Sequence, residues 1–122
     1  MPSLTDHVAK ARHNEDFINQ LGQPPAQFPD WAVVGAFYAA LHYVDAYLSL
    51  RNIHPPTHHQ RSGYVARMRD LRTVYPDYRT LEDTSRDARY TNNPVSSGNV
   101  ASSLQNFGRV KVTMIDFERC KR

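Results

Sequence analysis

The chain has 122 residues, of which 40% are apolar and 22% charged, a mix that fits one globular domain spanning residues 1–122 and excludes wholesale disorder. Twelve arginines against three lysines leave a net charge of +3, so an anionic partner is admitted but not demanded. The single cysteine, Cys120, excludes an internal disulfide and Cys-rich metal sites and is consistent with a reducing compartment.

The opening MPSLTDHVAKARHNEDF has no basic-then-apolar pattern, and the longest apolar run, Ala32 to Leu41, is shorter than a bilayer span. A cytoplasmic protein without membrane attachment is expected. Ser3 and Asp6 resemble a capping box. Leu4, Val8, Ala11, Phe17 and Leu21 keep an approximate helical period and predict a first helix, ended by Gly22, Pro24, Pro25 and Pro29. A second helix is predicted from Asp30 as N-cap, with Trp31 in its first turn. Val34, Phe37, Leu41, Val44 and Leu48 form one stripe along it. Tyr38, His42, Asp45 and Ser49 form a polar line beside that stripe. A helix apolar around most of its circumference belongs at the centre of a bundle.

Asn52 to Thr57 reads as a loop fixed by Pro55 and Pro56. Thr57 can cap a third helix with Tyr64, Val65, Met68 and Leu71 inward and Arg61, Arg67, Arg69 and Arg72 on the remaining faces. Tyr75-Pro76 is expected to break it. A fourth helix is predicted over Tyr78 to Tyr90, with Leu81 and Ala88 inward and Glu82 paired to Arg86 at i,i+4. After a polar loop from Thr91 to Gly98, a fifth follows with Val100, Leu104, Phe107, Val110 or Lys111, Met114 and Phe117 in a heptad-like stripe. No strand pattern, repeat or low-complexity tract stands out. The prediction is all-α: an up-and-down bundle of four to five helices.

Three segments carry a resemblance. AFYAALHYVDAYL resembles an alanine-rich core helix with an aromatic-Leu end. PPTHHQRSGYVARM is similar to a Thr-His followed by a basic or apolar helix. SRDARY resembles the Arg-Tyr ending of a late helix. In order and spacing they resemble the HEPN domain, a small prokaryotic α-helical family often encoded beside minimal nucleotidyltransferases. The resemblance spans about Trp31 to Phe117. It implies a homodimer with a groove between protomers, RNA or a nucleotide as ligand, a toxin–antitoxin or phage-defence setting and a nucleotidyltransferase antitoxin as partner. Many members of the wider group are metal-independent endoribonucleases whose signature is an Arg, four to six residues, then a His. Fold does not by itself carry activity.

Arg51 and His58 have that spacing here. Composition alone supplies about two such pairs by chance. The chemistry is nonetheless suitable: His is a base or acid near neutrality, and Arg meets developing phosphorane charge. The alternative is a capping or surface role for both. Tyr38, His42 and Asp45 lie on one helix face and read either as a buried hydrogen-bonded network or as the polar wall of a ligand groove. His54, His58 and His59 are close in sequence, but Pro55-Pro56 separates the first from the others and no Cys is at hand, so neither a metal nor another cofactor is expected. His54, His59 and Arg61 are candidate ligand contacts beside them. Arg89 and Tyr90 close the fourth helix; they either serve its C-terminus or offer a phosphate contact and a stacking ring. The remaining tyrosines, Tyr43, Tyr47, Tyr64, Tyr75 and Tyr78, are expected at edges, with rings packed and hydroxyls reaching water. A non-catalytic dimerisation or partner-binding module is the third reading.

Overall fold

A computed structural model describes residues 3–21, 28–91 and 94–121, with side chains given up to 20 and up to 117 in the first and last of these. It is an all-α bundle with α1 over Leu4–Leu21, α2 over Pro29–Leu50, α3 over His58–Arg67, α4 over Tyr75–Tyr90 and α5 over Ser97–Lys121. A short 3-10 turn, Arg72–Val74, leads into α4. No strand occurs among the described residues.

α2 is the central element, packed against α1, α5 and α4. Its burial follows from its composition. Ala36, Phe37, Ala39, Ala40, Val44, Ala46, Tyr47 and Leu48 are fully enclosed, each large apolar side chain contributing about 1.5–3 kcal/mol on burial. By length and composition α2 is long enough to cross a membrane, contrary to the expectation from its uninterrupted apolar run. In the fold, 72% of that window is buried by the other helices, as it is in the core helix of a bundle.

Local signals set several boundaries. The Ser3–Asp6 capping box forms: the Ser3 N–H donates to Asp6 Oδ2 at 3.0 Å and the Asp6 N–H to Ser3 Oγ at 3.2 Å. Thr57 caps α3 by accepting from the Gln60 N–H at 3.1 Å. Asp30 is not the cap of α2. The helix opens at Pro29 with Phe28 as N-cap and no side-chain cap, because proline in a first turn forfeits only an N–H that has no intrahelical partner. Asp30 instead sits in that turn, where its charge suits the helix dipole. The same physics corrects Tyr75-Pro76. It does not break α3, which has already ended at Arg67; it starts α4, with Pro76 in the first turn.

Two expectations about burial also change. Phe17 is 45% exposed rather than inward. Tyr43, Tyr47 and Tyr78 are fully buried rather than at edges. Tyr43 donates to Glu15 at 3.2 Å and Tyr47 to Asp70 at 2.6 Å, while Tyr78 is enclosed near Arg61. Burial, with the Glu15 carboxylate beside it, pushes the Tyr43 hydroxyl up to about 12.

α1 and α2 approach closely at Gly35. A Cβ there would overlap Ile18 Cγ2 and crowd the Phe17 ring. Ile18 is fully buried, and a β-branched methyl has no free rotamer to retreat into. Gly35→Ala gains up to about 1 kcal/mol of helix propensity, but overpacking costs about 1–3 kcal/mol. The substitution is therefore expected to lower the urea midpoint. An unchanged or raised midpoint would show that α1 yields at no cost.

Candidate functional site

The polar line of α2 divides between its neighbours: Asp45 reaches Arg61 of α3 and Tyr38 reaches Arg89 of α4, while His42 turns toward His7 of α1 and stays close to Asp45. Asp45 is buried and meets Arg61 of α3 in a two-pronged ion pair: Arg61 Nε donates to Oδ1 at 2.7 Å and Nη2 to Oδ2 at 3.1 Å. The two side chains are only 9% and 10% exposed. Arg61, expected on an open face of α3, is thus inside. The reason is its register. Arg61 lies one turn before Val65, which is fully buried, so the two share the face turned to the core. A second bond from Nη2 reaches the Pro55 carbonyl at 3.4 Å, tying the Pro-Pro loop to the same guanidinium.

Arg61 also orders His58. Its Nη1 lies 3.3 Å from His58 Nδ1. A guanidinium has only donors, so Nδ1 accepts and the neutral ring carries its proton on Nε2. The ring leans on Phe37, with centroids 5.6 Å apart, and meets Tyr38 edge-on at 6.0 Å. Burial on that side, followed by the charge of Arg61, lowers the His58 pKa. Tyr38 in turn accepts from Arg89 Nη1 at 2.9 Å, while Arg89 Nε donates to the Ser85 carbonyl at 3.3 Å. One line of contacts therefore runs Asp45, Arg61, His58, Tyr38, Arg89 across α2, α3 and α4. Tyr90 stands outside it, 75% exposed, with the Arg89 guanidinium 5.2 Å from its ring centre.

Arg51 belongs elsewhere. Its Nε donates to the Tyr47 hydroxyl and its Nη2 to Asp70, both at 3.0 Å. His58 lines a groove of about 450 Å³ whose wall does not include Arg51. The two residues proposed as a catalytic pair on spacing share neither a partner nor that groove.

The groove itself lies between α3 and α4. His58, His59, Arg67, Arg79 and Arg86 supply its cationic or hydrogen-bonding groups, Tyr75 a ring, and Glu82 an opposing carboxylate. Glu82 is 5% exposed and lies 3.5 Å from Arg79 and 3.8 Å from Arg86; Asp83 lies 3.3 Å and 3.5 Å from the same two. The expected Glu82–Arg86 pair is present but is one rung of a four-residue ladder. Contacts this long leave guanidinium N–H groups with capacity for a better acceptor. Arg67 belongs to the basic face expected of α3, whereas Arg79 is not marked out by the sequence reading. The signal for Arg79 is there: Arg79, Glu82, Asp83 and Arg86 have the spacing of one helix face. On the other flank of α3, a second depression of about 420 Å³ is lined by His54, Pro55, Tyr64 and Arg67. Arg67 and Gln60 border both.

His42 turns the other way, toward α1. Its ring centre is 5.9 Å from that of His7, and its Nδ1 is buried without a hydrogen-bond partner. Burial above all lowers the His42 pKa to about 4, opposed by Asp45 and assisted by His7, Lys10 and Arg61. His7 is lowered for the same main reason. Nothing local in the sequence marks His7, because only the α1–α2 packing makes it a neighbour of His42.

Removing one member of the buried ion pair should be severe. Arg61→Met leaves the Asp45 carboxylate uncompensated and is expected to cost about 3–5 kcal/mol, whereas Asp45→Leu/Arg61→Met together should recover most of that loss. Denaturant melts of Arg61→Met, Asp45→Leu and the double variant measure it; additive single losses in the double variant would refute coupling. His42 gives a pH dependence. Its folded pKa lies below the unfolded value of about 6.5, so the unfolded chain binds more protons as pH falls from there toward 4. Stability is complete above that window and declines through it, by about 2 kcal/mol after discounting for the ring's partial exposure. Comparing wild type with His42→Gln between pH 7.5 and about 4.5 isolates this share. Parallel curves would show that His42 does not titrate abnormally.

Comparison with known protein families, characterised proteins and solved structures yields no match to this chain, so its own geometry carries the functional reading.

Proposed function

We propose that the protein is a HEPN-like binding module that takes RNA or a nucleotide by its phosphates in the groove between α3 and α4. The observation that supports this reading is the groove's composition: three arginines and two histidines face one carboxylate, with a tyrosine ring at hand. Arg79 and Arg86 are held in place by Glu82 and Asp83 rather than neutralised at close range. An oxyanion arriving between them finds donors already positioned, which reduces the ordering cost of binding. Tyr75 offers a face on which a base can stack. Tyr90 offers another, beside Arg89.

Binding is favoured over cleavage by the state of His58. With Nδ1 accepting from Arg61, the neutral ring's other nitrogen bears hydrogen and acts as a donor to a phosphate oxygen, not as a base toward a 2′-hydroxyl. Arg51, engaged with Tyr47 and Asp70, adds no cation to this groove.

The expected outcome is a single-stranded RNA or nucleotide affinity that falls steeply with salt. Arg67→Ala, Arg79→Ala and Arg86→Ala should each weaken binding about 3- to 10-fold and reduce the salt slope by about one. Arg109→Ala, paired with Asp77 outside the groove, should have little effect. Fluorescence anisotropy at several salt concentrations, in EDTA, measures all five proteins. No binding at low salt sinks the proposal. RNA shortening in EDTA that is lost on His58→Ala would move the protein to the endoribonuclease reading.

A further inference from the structure

We propose that His7 of α1 together with His42 and Asp45 of α2 forms a binding site for a divalent cation of the zinc class. One ring nitrogen from each histidine and one carboxylate oxygen lie within 4.8 Å of one another. The three side chains come from two helices and converge beneath the surface: His7 is 9% and Asp45 7% exposed.

An independent observation points to a ligand. His42 Nδ1 is buried and has no hydrogen-bond partner among the described residues. A buried polar atom with no partner costs about 1–3 kcal/mol, and nearly all such atoms in folded proteins are satisfied. Among the described residues no donor or acceptor meets this one, although His7 lies next to it. A metal ion between the rings would employ the pair's lone pairs.

The donor set selects the ion. Two imidazoles and a carboxylate suit borderline divalent ions such as Zn²⁺ over Mg²⁺ or Ca²⁺, which prefer oxygen alone. Tetrahedral bonds of about 2.0–2.1 Å place ligand atoms about 3.4 Å apart. A set already within 4.8 Å is near that spacing before any ion is bound. Burial disfavours the charged form of both imidazoles, and the neutral form is the one that ligates.

The frame is rigid where the site needs it. His7 directly follows the Ser3–Asp6 capping box, and its own N–H donates to the Ser3 carbonyl at 3.0 Å. His42 and Asp45 are three residues apart and share a face of α2. Asp45 is oriented by Arg61, the outer partner that a ligating carboxylate commonly has. The same guanidinium opposes a second cation nearby and so weakens the affinity. Three protein ligands leave a fourth position for water or an anionic oxygen. The ion would clip α1 to α2 independently of the α3–α4 groove.

Zn²⁺ alone is the probe, titrated into the full chain with a competing chromophoric chelator; Co²⁺ reports geometry through its visible absorption. Wild type should bind one ion per chain, show tetrahedral Co²⁺ bands, and gain thermal stability with rising Zn²⁺ as mass action requires. His7→Ala and His42→Ala should each weaken binding at least tenfold, and His13→Ala, exposed on α1, should not. Because His42 is partly buried, His7→Gln serves as the milder variant: it should keep the helical circular dichroism of wild type but lose the zinc-dependent rise in melting temperature. Failure of wild type to bind Zn²⁺, or wild-type affinity in His7→Gln, overturns the site. Nucleic-acid binding in EDTA is read separately, so either proposal can fail without the other.

Discussion

The Asp45–Arg61 ion pair is the constraint on which the rest of this structure turns. Two charges enclosed in a small bundle cost several kcal/mol to desolvate, and their attraction repays that cost only at good geometry. The two short bonds, at 2.7 and 3.1 Å, meet that condition. Such a pair contributes little net stability over an apolar alternative, but it tolerates no slippage. Rotating α3 by one residue on α2 would strand a carboxylate and a guanidinium in the core. The pair therefore fixes register. Everything α3 presents to solvent inherits that register: His58 through its contact with Arg61, and Arg67 at the border of the groove.

α3 and the turn after it are held to α2 at two places, and the two are not equal in strength. At one, Asp45 and Arg61 are buried. At the other, Arg51 and Tyr47 near the end of α2 meet Asp70 in the turn after α3. There the Arg51 and Asp70 side chains are 38% and 28% exposed, where screening reduces an ion pair to about 0–1 kcal/mol. The Tyr47 hydroxyl does more, since its ring is wholly enclosed and the hydroxyl both donates to Asp70 and accepts from Arg51. Asn52, with φ of 60°, turns the chain between the two attachments, a conformation that asparagine tolerates better than most residues.

Much of this was legible in the sequence, for identifiable reasons. α2 announces itself because apolar residues cover nearly its whole circumference. Ser3 and Thr57 announce α1 and α3 because capping is local chemistry. Pro29 and Pro76 misled in the same direction for one reason: proline marks both the end of one helix and the first turn of the next, and only the packed structure decides which. Arg61 was misplaced although its register with Val65 put it on the inner face. Residue type argued for solvent, and the type argument fails where a buried carboxylate waits one helix away. His7 had no local signal at all, since its significance arises only when α1 packs on α2.

Asp45 stands between two electrostatically opposite environments. Toward α3 lies Arg61, always charged, and beyond it a groove rich in arginine. Toward α1 lie two imidazoles whose burial lowers their affinity for protons. Burial, more than the charge of Arg61, disfavours the charged form of those two imidazoles, so Asp45 spends its charge on the guanidinium. The division assigns different chemistry to each flank of α2. Neutral nitrogen lone pairs on the α1 flank suit a cation, while fixed positive charge on the α3 flank suits an anion. Both assignments rest on Asp45 keeping Arg61 where it is, which is why a polar residue in the middle of the most apolar helix of the bundle is not a flaw in the core but the element that orients it.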